Sequence, residues 1–366
     1  MNEMLKDKLL GCLVGGAVGD ALGYPVEFFT DTFIHRKYGE SGITRYQLGK
    51  NGVAEISDDT QMTLFTANGL LNALVRYGDE ASMPAYMSGV TMAYLNWYDT
   101  QIPGTIEGFK SDCWLWKVKE LHALRAPGNT CLSALRSLSC GSAVRNNSKG
   151  CGGIMRVAPV ALLAAAHPDK WDGARVAKLG GDLSRLTHLH ELGFLPSALF
   201  TYMLYTLLFL ENPTRDDVER IIREGGRVVR EVYPNYSSSM DKLMELMEQA
   251  IFLARSGNSD EMALGILGEG WVAEETLAVA AYCMLRYLGD FERTVVAAVN
   301  HNGDSDSTGA VAGNLIGAVV GCEAIPEYYK TNLELFSVIK EIGEDLYLSG
   351  QPADGKGMSN WKQKYG

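Results

Sequence analysis

Along most of the chain apolar residues recur three and four positions apart, the spacing of one face of an α-helix. The pattern predicts helices over 4–19, 59–77, 85–98, 157–166, 194–210, 216–231, 240–254, 275–287 and 306–320. Strict alternation of apolar and polar residues, the mark of a half-buried strand, is nearly absent. Connectors such as RAPGNT are rich in Gly, Pro and Asn, and no long linker or charge run divides the chain. The expected fold is all-α, a compact single-domain helical bundle over residues 1–366. The charged stretch from 215 to 254 reads as its solvated outer layer.

Two glycine rows interrupt this pattern. Gly11, Gly15 and Gly19 recur every fourth residue, with Gly23 following, and Gly309, Gly313, Gly317 and Gly321 repeat the spacing near the other end. Residues four apart share a helix face. Each such glycine costs a helix about 1 kcal/mol relative to alanine, so a compensating contact is needed, most simply close backbone approach to a neighbour. Either each row packs separately against larger side chains, or the two rows face each other antiparallel. The second arrangement brings the end of the first helix, followed by Glu27, beside Asp304 and Asp306.

The chain has 366 residues, 46% of them apolar, enough for the sizeable core of a soluble globular protein. A formal net charge of −11 argues against a broad nucleic-acid or anionic-membrane surface, although backbone N–H groups can still hold a small anion locally. Seven cysteines, scattered without Cys-x-x-Cys or Cys/His spacing, fit reduced thiols in the cytoplasm better than a disulfide framework or a zinc site. The start, MNEMLKDKLLGCLVGGAVGDALG, imitates a signal peptide. Glu3 and Asp7 dilute its positive region, however, and its apolar run continues into a Gly/Asp pattern. By this reading no apolar stretch reaches the roughly 20 residues of a membrane span. The expectation is a cytoplasmic monomer.

Chemistry enters at two predicted helix starts. ISDDTQMTL carries Ser57, Asp58 and Asp59, and NGDSDSTGA carries Asp304, Asp306 and Ser307. Either set alone reads as a cap, because Ser and Asp accept the free N–H groups of a helix start and acids favour its positive end. Together they are hard oxygen ligands of the kind that Mg2+, Mn2+ or Ca2+ select. With Glu27 they make five acids, which cannot all stay ionised in one site without cations. A calcium loop is excluded: DSDSTGAVAGNL matches an EF-hand at its first, third and fifth positions, but its ninth and twelfth are Ala312 and Leu315.

Other motifs say less. In SKGCGGIMRVAP a glycine-rich loop enters a helix, so its N–H groups can cradle a phosphate or form an ordinary turn. No strand precedes it, which removes a dinucleotide-binding reading. His188 and His190 are two apart, a spacing unsuited to a zinc pair on one helix face, though His188 can contact an anion. No Gly-x-Ser-x-Gly occurs, and no cysteine has an evident histidine partner, so nucleophilic catalysis has little support.

Taken in order, GDALGYPVE, SDDTQMTL, KGCGGIMRVAP, SRLTH and NGDSDSTGAVAGNLIGA resemble the motifs of the ADP-ribosylglycohydrolase family over about residues 5–322. The resemblance implies an orthogonal helical bundle with two Mg2+ or Mn2+ ions and the removal of ADP-ribose from modified protein side chains, arginine first among them. It also leaves open serine-linked or other ADP-ribosyl compounds, or a catalytically silent binder. By position it implies Ser57, Asp58, Asp59, Asp304, Asp306 and Ser307 as metal ligands, with Glu27 and Asp304 catalytic. Gly150, Cys151, Gly152, Gly153, Ile154 and Met155 would line the diphosphate, and His188 would contact the ligand. Asp99 is a candidate partner for a leaving guanidinium. Two departures stand out: Ser57 replaces a more usual threonine, and Cys151 replaces the asparagine of many relatives.

Overall fold

The computed structural model describes residues 2–106, 111, 113–351 and 355–366. Seventeen α-helices appear among them. The first eight are α1 (Asn2–Gly23), α2 (Asp31–Tyr38), α3 (Asp58–Tyr77), α4 (Met83–Gln101), α5 (Asn129–Ser139), α6 (Ala158–Ala166), α7 (Gly173–Arg185) and α8 (Glu191–Leu208). There follow α9 (Arg215–Val232), α10 (Ser237–Arg255), α11 (Asp260–Leu267), α12 (Ala273–Arg286), α13 (Phe291–Val299) and α14 (Ser305–Val320). The last three are α15 (Glu327–Thr331), α16 (Phe336–Leu348) and α17 (Gly355–Tyr365). No strand forms among the described residues; two isolated bridges, Ala54 with Leu333 and Gly150 with Val272, are the nearest approach to one. The fold is all-α, as the periodicity predicts.

The glycine rows face each other. A Cβ on Gly11 would lie 2.4 Å from the carbonyl oxygen of Gly317, one on Gly15 2.3 Å from that of Gly313, and one on Gly19 1.9 Å from that of Gly309. The pairing is antiparallel and closes with Gly23 against Ser305. The rows therefore bring the backbones of α1 and α14 into direct contact, and any larger side chain would force them apart. Asn314 fastens the pair by donating from Nδ2 to the carbonyl of Cys12 at 2.8 Å. Because the helices run antiparallel, the C-terminal end of α1 lies beside the N-terminal end of α14.

Around this pair α3, α6, α8 and α12 are buried along nearly their whole length. Helix α9 forms an outer layer, as its charges predict, and Arg223 joins it to α10 through Glu248 at 2.7 Å. That layer is not wholly solvated, since Glu219 is buried and paired with Arg255. The periodicity missed several helices. In α7 Val176, Leu179 and Leu183 keep the helical spacing on the buried face, which they share with Gly180 against Thr201 and Gly181 against Tyr233.

The expectation about membrane spans needs correcting. Two helical stretches, Glu3–Val26 and Glu191–Leu208, are long and apolar enough to cross a membrane. Leucine, valine and alanine raise the mean hydropathy of the first although Lys6, Asp7, Lys8 and Asp20 interrupt it, and leucine and phenylalanine raise that of the second. Both are mostly covered inside the protein, and Lys8 ends on the carbonyls of Leu207 and Leu210 at the foot of α8.

Candidate active site

The first turn of α3 is organised from another helix. Ser57 is its N-cap, with Oγ accepting the N–H of Asp59 at 3.2 Å. Asp20, near the end of α1, accepts the N–H groups of Ser57 at 3.0 Å and of Thr60 at 3.1 Å, and also the Thr60 hydroxyl. Three donors at a helix start, where N–H groups have no intrahelical partner, are thus held by one buried carboxylate. Asp58 and Asp59 are left to project from the turn. Asp58 Oδ2 accepts the N–H of Gly128 at 3.3 Å, and its own N–H donates to the carbonyl of Arg125 at 3.1 Å.

The start of α14 is delivered by a turn that only glycine fits. Gly303 has φ of +114°, and a Cβ there would lie 2.1 Å from the carbonyl oxygen of Glu269. The next residue, Asp304, donates its N–H to that same oxygen at 2.8 Å and caps α14 by accepting the N–H of Ser307 at 3.2 Å. Asp306 Oδ1 accepts the same N–H at 3.0 Å. Because Gly23 touches Ser305, Glu27 on the turn after α1 falls within this group.

Glu27, Asp58, Asp59, Asp304 and Asp306 line one cavity of about 200 Å3, together with Ser307, Cys151, Met155, His188 and Trp271. Among the described residues no lysine or arginine reaches its wall. All five acids are buried, and Glu27 Oε2 and Asp59 Oδ2 have no hydrogen-bond partner. Burial, and then the charges of Asp304, Asp58 and Asp20, push the Glu27 carboxyl up to about 9. Burial likewise lifts Asp58 to about 8 against the pull of the Gly128 N–H, and holds Asp59 and Asp306 well above the usual range. Carboxylates this crowded and dry either keep protons or need cations. The donors are the hard oxygens that Mg2+ and Mn2+ take, and the two orphaned oxygens fit such a partner. Among the described residues no three of these side chains already converge into a finished coordination sphere.

The opposite wall is the glycine loop, and it corrects part of the expectation. Gly150, Cys151, Gly152 and Met155 line the cavity; Gly153 and Ile154 are buried behind it. The N–H of Gly150 donates to Ser148 Oγ, that of Cys151 to the carbonyl of Trp271, and those of Ile154 and Met155 to the carbonyl of Cys151. Four of the six amides expected to cradle a phosphate are therefore committed within the protein. His188 lies beneath the loop: a Cβ on Gly152 would come 3.1 Å from its Cε1. Its Nδ1 is 2.8 Å from Thr187 Oγ1, which accepts Nη2 of the fully buried Arg156 at 2.6 Å. Burial and that guanidinium push His188 down to about 3, so it meets a ligand as a neutral ring.

Two further expected residues, beside Gly153 and Ile154, are not in the cavity wall. Ser57 is spent as the cap of α3 and is fully buried. Asp99 sits on α4, where its carboxylate accepts Trp116 Nε1–H at 2.9 Å and the N–H of Gly104 at 3.3 Å. A side chain so engaged in holding its own neighbourhood gives no partner to a guanidinium in the cavity. His190 is the N-cap of α8, accepting the N–H of Leu192. Conversely, sequence reasoning missed Asp20, Arg156, Cys131 and Trp271. Asp20 and Arg156 stand inside quoted motifs, GDALG and IMRVAP, where a lone buried charge was the available clue. Nothing marks Trp271, which stacks on the exposed Phe28 with ring centroids 5.9 Å apart at the cavity mouth.

The sequence pattern of the ADP-ribosylglycohydrolase family matches residues 1–355. ADP-ribosylhydrolase ARH3 of Danio rerio is 25% identical over 94% of this chain and 91% of its own length. With the Bos taurus form, 26% identical, the chain spans 58% of the relative's length. ADP-ribosyl-[dinitrogen reductase] glycohydrolase of Rhodospirillum rubrum is 24% identical over 90% of this chain and 91% of its own. Among solved structures, an ADP-ribosylglycohydrolase-related protein complex shares the fold with a TM-score of 0.61 at 24% identity, covering 95% of this chain and 100% of that one. A family pattern matched from end to end of the helical core, on a fold shared with a solved relative, places this chain in the ADP-ribosylglycohydrolase family of glycosidase-type hydrolases.

Proposed function

We propose that the protein is a divalent-metal-dependent hydrolase that releases ADP-ribose from modified protein side chains, with ADP-ribosyl-arginine as its first substrate. The observation that carries this reading is the cavity with five buried carboxylates and no basic side chain on its wall among the described residues. Asp58, Asp59, Asp304 and Asp306, with the hydroxyl of Ser307, would hold two Mg2+ or Mn2+ ions. Such ions supply Lewis acidity and positive charge among the carboxylates.

Cleavage of a bond at the anomeric carbon builds oxocarbenium character, and it needs a base for the attacking water and a proton for the departing group. Glu27 is the group for the proton transfers: it lines the cavity, one of its oxygens is free of hydrogen bonds, and it caps no helix start. On the other wall Gly152 and the neutral His188 offer a close, uncharged surface for the diphosphate, with the buried Arg156 guanidinium behind it as a fixed positive charge. Trp271 and Phe28 give the mouth a flat apolar surface.

The linkage is the finer part of the proposal. Glu27 Oε2 can receive a leaving guanidinium, which supports arginine. The engagement of Asp99 elsewhere removes the other carboxylate expected for that purpose and favours serine-linked ADP-ribose as the second reading. We take the protein to act as a cytoplasmic monomer. Release of free ADP-ribose from arginine-linked and serine-linked substrates, run in parallel with Mg2+, with EDTA and with Asp304→Asn, tests the reading. Metal-dependent release lost in the variant supports it and names the linkage; no release from either substrate sinks it.

A further inference from the structure

Cys151 stands apart from the rest of the glycine loop. Its Sγ lies 2.7 Å from Oδ2 of Asp304, closer than a sulfur atom ordinarily approaches an oxygen, and it faces the same cavity as Asp59, Asp306 and Ser307. The backbone leaves it little choice of position, because its N–H is held by the carbonyl of Trp271 at 3.2 Å and its carbonyl accepts from Ile154 and Met155. Asp59, nine-tenths buried or more and lining the same cavity, has its Oδ2 unpartnered. A sulfur in contact with one carboxylate oxygen, and an orphaned buried carboxylate oxygen, therefore line one cavity.

We propose that Cys151 is a ligand of the metal centre, binding through Sγ beside Asp304 Oδ2, and that it shifts the centre's preference from Mg2+ toward Co2+, Zn2+ and Cd2+. The inference rests on the divalent-metal reading above. Thiolate sulfur selects softer ions than carboxylate oxygen does, so one sulfur in an oxygen cage changes which ion is held best. On binding, the S–H bond breaks and its proton passes to water, while the sulfur lone pair forms the bond to the metal. The charge of the cation replaces the proton that the surrounding carboxylates otherwise keep on the thiol.

Cobalt titration of the metal-free full chain tests this, read by absorbance and by equilibrium dialysis. Wild type is expected to develop a near-ultraviolet sulfur-to-cobalt charge-transfer band together with the visible cobalt bands. Cys151→Ser and Cys151→Ala should lose the first and keep the second, and Cys131→Ser, which alters the other thiol on the wall, should keep both. Visible bands in wild type without the charge-transfer band would overturn the thiol ligand and leave the metal reading standing. A charge-transfer band that persists in both Cys151 variants would also overturn it. No cobalt bound to wild type would remove the metal reading and the thiol ligand together.

Discussion

The carboxylate of Asp20, near the end of α1, accepts the backbone N–H of Thr60, in the first turn of α3, at 3.1 Å. With the N–H of Ser57 on the same group, this contact sets the direction in which Asp58 and Asp59 leave the helix. The glycine contact of α1 with α14 sets Asp304 and Asp306 from the other side. One helix therefore positions both halves of the acidic cavity.

Asp20→Asn should loosen the start of α3, because an amide cannot accept from all the donors that face the carboxylate. Leaving one buried donor unsatisfied costs about 1–3 kcal/mol. We expect lower thermal stability and weaker Mn2+ binding by calorimetry. Unchanged Mn2+ affinity would separate the α1 contact from the site.

Gly19→Ala places a Cβ 1.9 Å from a carbonyl oxygen of α14, and such overpacking costs about 1–3 kcal/mol or more. Gly265→Ala is the comparison, since nothing lies within 4 Å of a Cβ there on α11, and it should stabilise by about 0.4–1 kcal/mol. Denaturant unfolding of both variants reads the two signs. Equal effects would mean that the backbone contact does not govern the α1–α14 pairing.

In EDTA the protein should lose stability as pH rises. Glu27 and Asp58 keep their protons in the folded chain up to about 9 and about 8, whereas in the unfolded chain they release them near their ordinary 4.5 and 3.8. Between those limits the folded state binds more protons, so unfolding becomes easier with each step upward in pH. Added Mn2+ should flatten the slope by replacing the protons. Thermal melts from pH 5 to about 9, with and without the ion, measure it; a slope of opposite sign in EDTA would contradict the crowding of the carboxylates.

Glu27→Gln should abolish turnover, by about 10²–10⁴-fold if it serves only in proton transfer, while Mn2+ binding survives. The pair of measurements is single-turnover release of ADP-ribose and Mn2+ titration. Retained turnover would move the proton-transfer role to another residue.

Asp99→Asn should leave kcat/KM on the arginine-linked substrate unchanged and lower stability by about 0.5–1.5 kcal/mol, the worth of the hydrogen bonds it disturbs. A large fall in kcat/KM with an unchanged melting temperature would restore Asp99 as the partner of the guanidinium.

The helical class, the longest helices, the paired acids at two helix starts and the antiparallel glycine rows as one of two arrangements were all legible in the sequence. Each rests on spacing, which follows from the 3.6-residue turn and needs no knowledge of neighbours. Tertiary structure chose between the glycine arrangements, and with that choice it gathered Glu27, Asp58, Asp59, Asp304 and Asp306 on one cavity. It also decided matters for which a single residue type carries no information. Asp20 came to hold the first turn of a distant helix, Asp99 and Ser57 were consumed locally, and Arg156 was buried behind His188. Whether a carboxylate serves a cap, a neighbour or a cavity depends on which donors lie within hydrogen-bond reach, and that distance is set only when the helices pack.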